Sequence, residues 1–228
     1  MMAPMEPTEL TDLTPARREI LEAAAHCFME QGFHATSIDV VARRMGATKG
    51  RVYHHYQSKI DLFFDVHRLG MHLLFEAVEP ARAGPGDAAQ VLARMMTAHA
   101  LALFEHHAFE SVVVQGVHLH RFGATTPGQR KVLDELIASR DRFEQLFRQQ
   151  LVLGQQQGLL AEVKASIAVK TLLGALQWSL VWYRPERGDS LAQRQQLAQA
   201  MVQTLVEGLR TRVPPSSAPA GKRARRPA

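Results

Sequence analysis

Cysteine is almost absent from this sequence. Its 228 residues include one cysteine, Cys27, which excludes a disulfide framework within the chain. So little cysteine use favours a reducing compartment, and a cytoplasmic protein is therefore expected. Cys27 lies on an apolar helical stripe with Ile20, Leu21, Ala24 and Phe28. The stripe predicts a buried structural thiol rather than a redox sensor.

Long hydrophobic runs and alternating apolar patterns are also missing. No apolar run approaches the roughly 18 residues of a membrane span, so no membrane association is expected. Residues 1–13 are acidic and lack the apolar segment of a signal peptide, and they are predicted to be a disordered leader. No stretch alternates for long enough to form a sheet. An all-α protein is therefore predicted.

Arrangements typical of enzymes and metal sites are not found. The sequence has no nucleophile elbow, no paired Cys and His, and no carboxylate pair within an apolar stretch. We therefore predict a non-enzyme with no catalytic residues and no cofactor. His106 with His107, and His118 with His120, suggest metal ligands at first. Histidines at these spacings point to different helix faces and have no Cys or carboxylate cluster beside them, so no metal site is predicted.

Positive charge is concentrated at the two ends of the chain. The net charge is +5; residues 14–59 hold seven basic and four acidic residues, and residues 214–228 hold four basic residues and no acidic one. Because neutralising phosphates drives nucleic-acid binding, this distribution favours a protein with one end on nucleic acid. The composition of residues 214–228 cannot bury a core, so a disordered basic tail is predicted there.

Helical spacing, capping residues and glycine breaks divide the rest of the chain into nine predicted helices. A helix-turn-helix domain is predicted for residues 14–60, and a second helical domain for residues 61–213. The nine helices cover residues 15–31, 37–45, 48–56, 58–78, 87–106, 109–122, 129–157, 166–183 and 190–210. The eighth is apolar nearly all round, so the eighth and ninth are predicted to form a four-helix interface in a homodimer.

The second and third predicted helices are short and joined by a turn that contains Gly46. This is the pattern of a helix-turn-helix, whose second helix enters the DNA major groove. Val52 and Tyr56 are four residues apart and are predicted to face inward. The predicted DNA contacts are Thr36, Ser37, Thr48, Lys49, Gly50, Arg51, Tyr53, His54, His55 and Lys59.

The predicted contacts differ in role. The guanidinium fork of Arg51 matches the two acceptors on a guanine edge, so Arg51 is the candidate for reading a base. Tyr53 and His55 are expected to touch phosphates, which positions the protein without specifying sequence. Lys59 is expected to reach the DNA backbone alongside.

This segment resembles the N-terminal domain of the TetR family of bacterial transcriptional regulators. The family's motif is matched at residues 28–33, 35–38, 41–42, 45–56 and 58–62, with Arg51 where the family often has Thr or Ser. The resemblance implies a homodimer that binds two half-sites of a double-stranded DNA operator. It further implies a repressor, released by a small-molecule effector.

Residues 174–185 resemble the C-terminal half of TetR regulators of fatty-acid, aromatic and sterol catabolism, with Gln177 where an Asn is usual. Several of those regulators respond to acyl-CoA thioesters. The resemblance implies an acyl-CoA effector whose phosphates pair with Arg121, Arg140 or Arg142. One alternative is a multidrug regulator of an efflux gene that senses hydrophobic cations. Another is a helical adaptor that does not bind DNA.

An apolar effector pocket is expected in residues 67–212. Gln177 and His99 are its strongest polar candidates, because polar side chains among apolar neighbours need a partner when they are buried. The predicted wall residues are Met71, Phe75, Met95, Met96, His99, Leu103, Val113, Val117, Phe147, Leu151, Leu173, Leu176, Gln177, Trp178 and Val181.

Overall fold

The computed structural model describes residues 13–123 and 125–209, and it is helical throughout, as predicted. The predicted basic tail and all but the last residue of the predicted leader lie outside the described residues. The helices are α1 (Pro15–Ala35), α2 (Ile38–Arg44), α3 (Lys49–Tyr53), α4 (Lys59–Ala83), α5 (Ala88–Glu105), α6 (His107–Phe122), α7 (Pro127–Gln156), α8 (Ala165–Gln177), α9 (Ser179–Trp182) and α10 (Leu191–Glu207).

Capping residues fix most of the helix starts. The side chains of Thr14, Ser37 and Ser58 accept a hydrogen bond from a backbone amide in the first turn of α1, α2 and α4. Reciprocal capping boxes begin α5, α7 and α10. Thr48 precedes α3 as predicted, but its hydroxyl makes no capping bond.

Two predicted helix boundaries are wrong. The fourth predicted helix was expected to end at Val78, whereas α4 continues through Pro80 to Ala83. Proline removes one hydrogen bond, and so close to the end of a long packed helix that loss does not stop the helix. The eighth predicted helix is divided at Trp178 into α8 and the short α9.

Two hydrophobic clusters form the core. The first joins α1, α2, α3 and the start of α4 to α6 and α7, through residues such as Phe28, Val52, Phe63, Val112 and Leu133. The second joins the end of α4 to α5, α6, α7, α8 and α10. Because α4, α6 and α7 contribute to both clusters, the packing continues past the predicted domain boundary at residue 60.

One stretch meets the length and composition criteria for a membrane span. Residues Ala165–Trp182 have a mean hydropathy of 1.2, contrary to the expectation from sequence that no run would qualify. A single stretch of this kind is weak evidence, because packed helices of soluble proteins pass the same test. Only 22% of the window is buried within the chain, so most of it is available to a partner.

The crossing of α4 and α6 depends on a glycine. A Cβ atom added at Gly116 of α6 would lie 2.4 Å from Cδ2 of His67, a fully buried residue of α4. The absence of a side chain therefore lets the two helices approach closely. The same α6 also contacts α1, so this crossing sets the position of the N-terminal bundle.

We expect Gly116→Ala to destabilise the fold by about 1–3 kcal/mol, because the added methyl overpacks a rigid core. Gly128, in the first turn of α7, is the matched control, since its added Cβ would have no atom within 4 Å. Gly128→Ala is expected to be neutral or stabilising, by up to about 1 kcal/mol. Chemical denaturation of the two variants measures the difference, and equal stabilities would contradict the packing account.

Candidate DNA interface and effector cavity

The inner and outer faces of α3 are separated as the sequence predicts. Val52 and Tyr56 are buried against the first hydrophobic cluster. The predicted contacts on the outer side, Thr48, Lys49, Gly50, Arg51, Tyr53 and His54, are exposed, and His55 is partly exposed. Gly46, in the turn before α3, has φ 63°, a left-handed conformation that glycine adopts without strain.

Each of the two cationic residues of α3 forms an ion pair with an acidic residue of another helix. Nη2 of Arg51 lies 2.5 Å from a carboxylate oxygen of Glu19 in α1. Nζ of Lys49 lies 3.2 Å from a carboxylate oxygen of Asp39 in α2. All four side chains are about half exposed, so each pair contributes little to stability. Both cations are therefore free to exchange these partners for others.

Two of the predicted DNA contacts, Thr36 and Lys59, donate hydrogen bonds to backbone carbonyls of the protein itself. Thr36 is 1% exposed, and its hydroxyl donates to the carbonyls of Cys27 and Gly32. Its side chain therefore has no access to DNA, which corrects the prediction from sequence. The motif puts Thr36 beside the exposed Ser37, but the bend after Gly32 turns it inward.

Lys59 also has a structural role that the sequence did not indicate. Its ammonium donates to the carbonyls of Phe33, at 2.7 Å, and His34, at 3.1 Å, and lies 4.5 Å from the centre of the Phe33 ring. Burial lowers the pKa of Lys59. The ammonium satisfies carbonyl groups at the end of α1 while the side chain stays partly exposed, so the contact of Lys59 with the DNA backbone remains a prediction.

A buried polar network fixes the end of the helix-turn-helix, and sequence reasoning missed it. Arg17 of α1 donates through Nε to the hydroxyl of Tyr56, at 3.1 Å, and through Nη2 to Asp65 of α4, at 2.8 Å. Arg68 donates to the other oxygen of Asp65, at 2.7 Å. Burial raises the pKa of Tyr56, so the phenol stays neutral. The only signal in the sequence was a polar Asp65 within an apolar run.

A second link joins α1 to α6. The side-chain amide of Gln115 accepts from the backbone amide of Phe33, at 3.1 Å, and donates to the carbonyl of Phe28, at 2.9 Å. Val113, two residues earlier on α6, faces a cavity in the larger helical domain. Helix α6 therefore contacts both the DNA-binding helices and this cavity.

The cavity lies between α4, α5, α6, α7 and α8 and has a volume of about 320 Å³. Five of the predicted wall residues line it: Met71, His99, Val113, Leu173 and Gln177. Both polar candidates from sequence are among them. The other lining residues are Leu74, Ile137, Arg140, Asp141, Phe143, Glu144, Lys170 and Gly174.

The remaining predicted wall residues do not line the cavity. The rings of Phe75 and Phe147 pack on the ring of Phe143. Trp178 and Val181 are 63% and 53% exposed and lie on the outer surface, because the helix is interrupted at Trp178, between α8 and α9. The others are core residues or lie elsewhere on the same helices: Met95, Met96, Leu103, Val117, Leu151 and Leu176.

Three buried polar residues lie in or near the cavity: His99 lines it, while His67 and Glu110 lie outside its lining. Burial lowers the pKa of both His67 and His99 to about 3, so both rings are neutral near pH 7. Burial also raises the pKa of Glu110 well above its usual range. Within the described ranges, no hydrogen-bond partner is found for either oxygen of Glu110 or for Nδ1 of His99. His67 and Glu110 were missed from sequence, although each stands among apolar neighbours as His99 does.

Arg140 is the central cation of the cavity. Its Nη2 lies 3.4 Å from Oε1 of Gln177, and burial lowers its pKa. Lys170, the other cation at the cavity, is already paired with Glu144 at 2.6 Å. The described side chains include no carboxylate within 4 Å of the Arg140 guanidinium.

The histidines that were considered as metal ligands have other contacts. His107 bonds to the carbonyl of Leu180, at 3.1 Å, and His120 pairs with Asp134, at 2.8 Å. Over residues 13–123 and 125–209, no group of three or more potential metal ligands is present.

Comparison with known protein families gives two matches along the chain. Residues 20–66 match the bacterial regulatory proteins of the tetR family. Residues 85–209 match the tetracyclin repressor-like C-terminal domain, which covers more than half of the chain. The first match contains the helix-turn-helix, and the second contains α5 through α10.

Individual regulators are similar over different lengths. The AcrR regulator of Shigella flexneri is 31% identical over 100 residues, which is 43% of this chain and 42% of that protein, so the match spans less than half of either. The PfmR regulator of Thermus thermophilus is 32% identical, with a TM-score of 0.69 and coverage of 84% of this chain and 99% of that one.

The structure of AibR in complex with isovaleryl coenzyme A and operator DNA is 27% identical, with a TM-score of 0.66 and coverage of 84% of this chain and 98% of that one. Together with the two family matches, these similarities show that the chain belongs to the TetR family of bacterial regulatory proteins.

Proposed function

We propose that this chain is a cytoplasmic, dimeric transcriptional repressor that binds operator DNA through α3 and is released by a small effector. The observation that carries the proposal is the outer face of α3, where Lys49, Arg51 and Tyr53 are exposed on a helix-turn-helix. The Arg17–Tyr56–Asp65 network holds that face in position. The family match supports regulation over catalysis or a purely structural role.

The proposed DNA contacts divide by chemistry. Arg51 supplies a fork for a guanine edge, while Lys49 and Tyr53 contact phosphates. The remaining proposed contacts surround these three: Ser37, Thr48, Gly50, His54 and His55. Burial lowers the pKa of His55, with a smaller effect from the neighbouring His54. Lys59 stays in the set as a contact to the DNA backbone, whereas the buried Thr36 does not.

Binding to DNA must break the pair between Arg51 and Glu19, so substitutions at the two positions have opposite expected effects. Arg51→Ala removes a base contact, and we expect operator affinity to fall by about tenfold or more. Glu19→Gln frees the arginine and removes a charge near phosphates, so affinity is expected to rise about two- to fivefold. Salt-titrated gel shifts on DNA selected by the wild-type chain measure both effects.

Glu22→Gln is the matched control, because Glu22 is an exposed acid of α1 with no ion pair in the described part of the chain. It removes the same charge without freeing Arg51, so its affinity is expected to stay near the wild-type value. Equal gains from both Glu variants would assign the effect to general charge. Unchanged affinity in Arg51→Ala would contradict the proposed interface.

The proposed dimer uses α8, α9 and α10, which correspond to the eighth and ninth predicted helices. Ile167 is 57% exposed, Trp178 and Val181 are also largely exposed, and Gly174 and Ala175 lie between them. This exposed apolar surface contributes to the mean hydropathy of 1.2 by which residues 165–182 meet the criteria for a membrane span. A second copy of the same helices would cover it, and two-fold symmetry would present two α3 helices to successive half-sites.

We expect Ile167→Glu to convert the dimer into a monomer at micromolar concentration, because it puts two charges into an apolar interface. Operator binding should weaken strongly as a result. Phe122→Glu is the control, since Phe122 is an exposed apolar residue at the end of α6. Light scattering that finds the wild-type chain monomeric, or Ile167→Glu fully dimeric, would contradict this interface.

The proposed effector is a small apolar molecule or an acyl-CoA thioester that enters the α4–α8 cavity. Support comes from the apolar residues among the cavity lining and from the similarity to AibR, whose structure contains isovaleryl coenzyme A. A hydrophobic cation fits less well beside Arg140, which has no carboxylate within 4 Å among the described side chains. Arg121 and Arg142 are exposed and available to phosphates outside the cavity. Movement of α4 and α6 would carry the signal to the DNA-binding helices.

A further inference from the structure

We propose that the effector presents a carboxylate to Arg140, with Gln177 and His99 as the accompanying hydrogen-bond donors. This inference rests on the proposed function of the cavity as the effector site. It adds the charge and the chemical class of the group that the cavity recognises. Two observations support it: among the described side chains Arg140 has no carboxylate within 4 Å, and Nδ1 of the buried His99 has no hydrogen-bond partner.

The guanidinium of Arg140 has no close counter-ion, although the cavity lining contains two cations, Arg140 and Lys170, and two carboxylates, Asp141 and Glu144. Three carboxyl groups influence Arg140 electrostatically, namely Asp141, Glu110 and Glu144, but among the described side chains none lies within 4 Å of it. Glu144 is bound to Lys170, Asp141 is exposed to solvent, and burial raises the pKa of Glu110 well above its usual range. Because a partly buried guanidinium without a counter-ion is costly, an anionic ligand gains by binding there.

The polar groups beside Arg140 are arranged as donors. The bond from Arg140 to Gln177 is 3.4 Å, which is long, so the guanidinium has donors to spare. The Gln177 side chain carries an NH₂ group with two further donors. His99 is 3% exposed, lines the cavity, and has no partner at Nδ1 among the described residues. A carboxylate has two oxygens that can accept from three such groups at once.

The apolar lining residues of the cavity limit the size of the rest of the effector. Met71, Leu74, Val113, Phe143 and Leu173 surround a volume of about 320 Å³. At roughly 30 Å³ for each water-sized group, this volume holds a body of about ten heavy atoms. Two sources supply a carboxylate of that size: a free hydrophobic acid, or the distal carboxylate of an acyl chain on a CoA thioester.

Matched acids and amides test the proposal directly. Isothermal titration calorimetry on the full-length chain without DNA would compare phenylacetate with phenylacetamide, and octanoate with octanamide. We expect the acids to bind at least about tenfold more tightly than the amides, because an amide has no charge to offer Arg140. Adipoyl-CoA against hexanoyl-CoA separates the two sources, since only the first has a distal carboxylate.

Substitution of Arg140 provides the second test. Arg140→Gln is expected to abolish the preference for acids, and Arg140→Lys to keep part of it, since the charge stays and the fork is lost. Arg148→Gln, at an exposed position of α7 away from the cavity lining, is the control and should behave as the wild type does. Circular dichroism melting of each variant checks that the fold persists; if Arg140→Gln does not fold, Arg140→Lys carries the comparison.

Three results would overturn the proposal: equal affinity for acid and amide, a preference for acids that survives in Arg140→Gln, or no binding of any carboxylate at millimolar concentration. If hexanoyl-CoA releases the repressor from DNA as well as adipoyl-CoA does, the effector needs no carboxylate, and this proposal fails while the proposed repressor function stands. Failure of the proposed function has a different signature, namely a wild-type chain that does not bind selected DNA in the first place.

Discussion

The carboxylate of Asp65 is the contact on which the arrangement of the N-terminal helices depends. It is 4% exposed, and it accepts from Arg17 of α1 and Arg68 of α4, while Arg17 also donates to Tyr56 after α3. Removing one partner would leave a buried charge uncompensated, which is strongly destabilising. This network therefore fixes the direction in which the outer face of α3 points relative to α4.

Helices α4 and α6 connect that face to the cavity. Asp65 and Met71 lie less than two turns apart on α4, one in the network and the other on the cavity wall. On α6, Val113 lines the cavity and Gln115 is bonded to the backbone of α1. The close crossing at Gly116 and His67 keeps α4 and α6 from moving independently. A ligand that displaces either helix therefore acts on the DNA-binding helices.

The sequence predicted what depends on local periodicity and capping. The helix-turn-helix, the inward positions of Val52 and Tyr56, and the cavity positions of His99 and Gln177 followed from spacing and polarity. It could not predict contacts between distant helices. Thr36 matches the motif but is buried inside the bundle, and Lys59 makes bonds to the end of α1 that the motif does not indicate. The direction of Trp178 and Val181 depends on a helix break with no proline or glycine to signal it. Glu110 and Arg140 influence each other electrostatically only because α6 and α7 pack together, which the sequence does not show.

The central claim is that the outer face of α3 lies against operator DNA, and site-specific photocrosslinking tests it most directly. A photoreactive phenylalanine analogue would replace Tyr53 in one sample and Phe122 in another; both residues are exposed aromatics, and they lie in different parts of the chain. The account predicts crosslinks to selected operator DNA from position 53 and none from position 122. Crosslinking from position 122 alone, or equally from both, would contradict it.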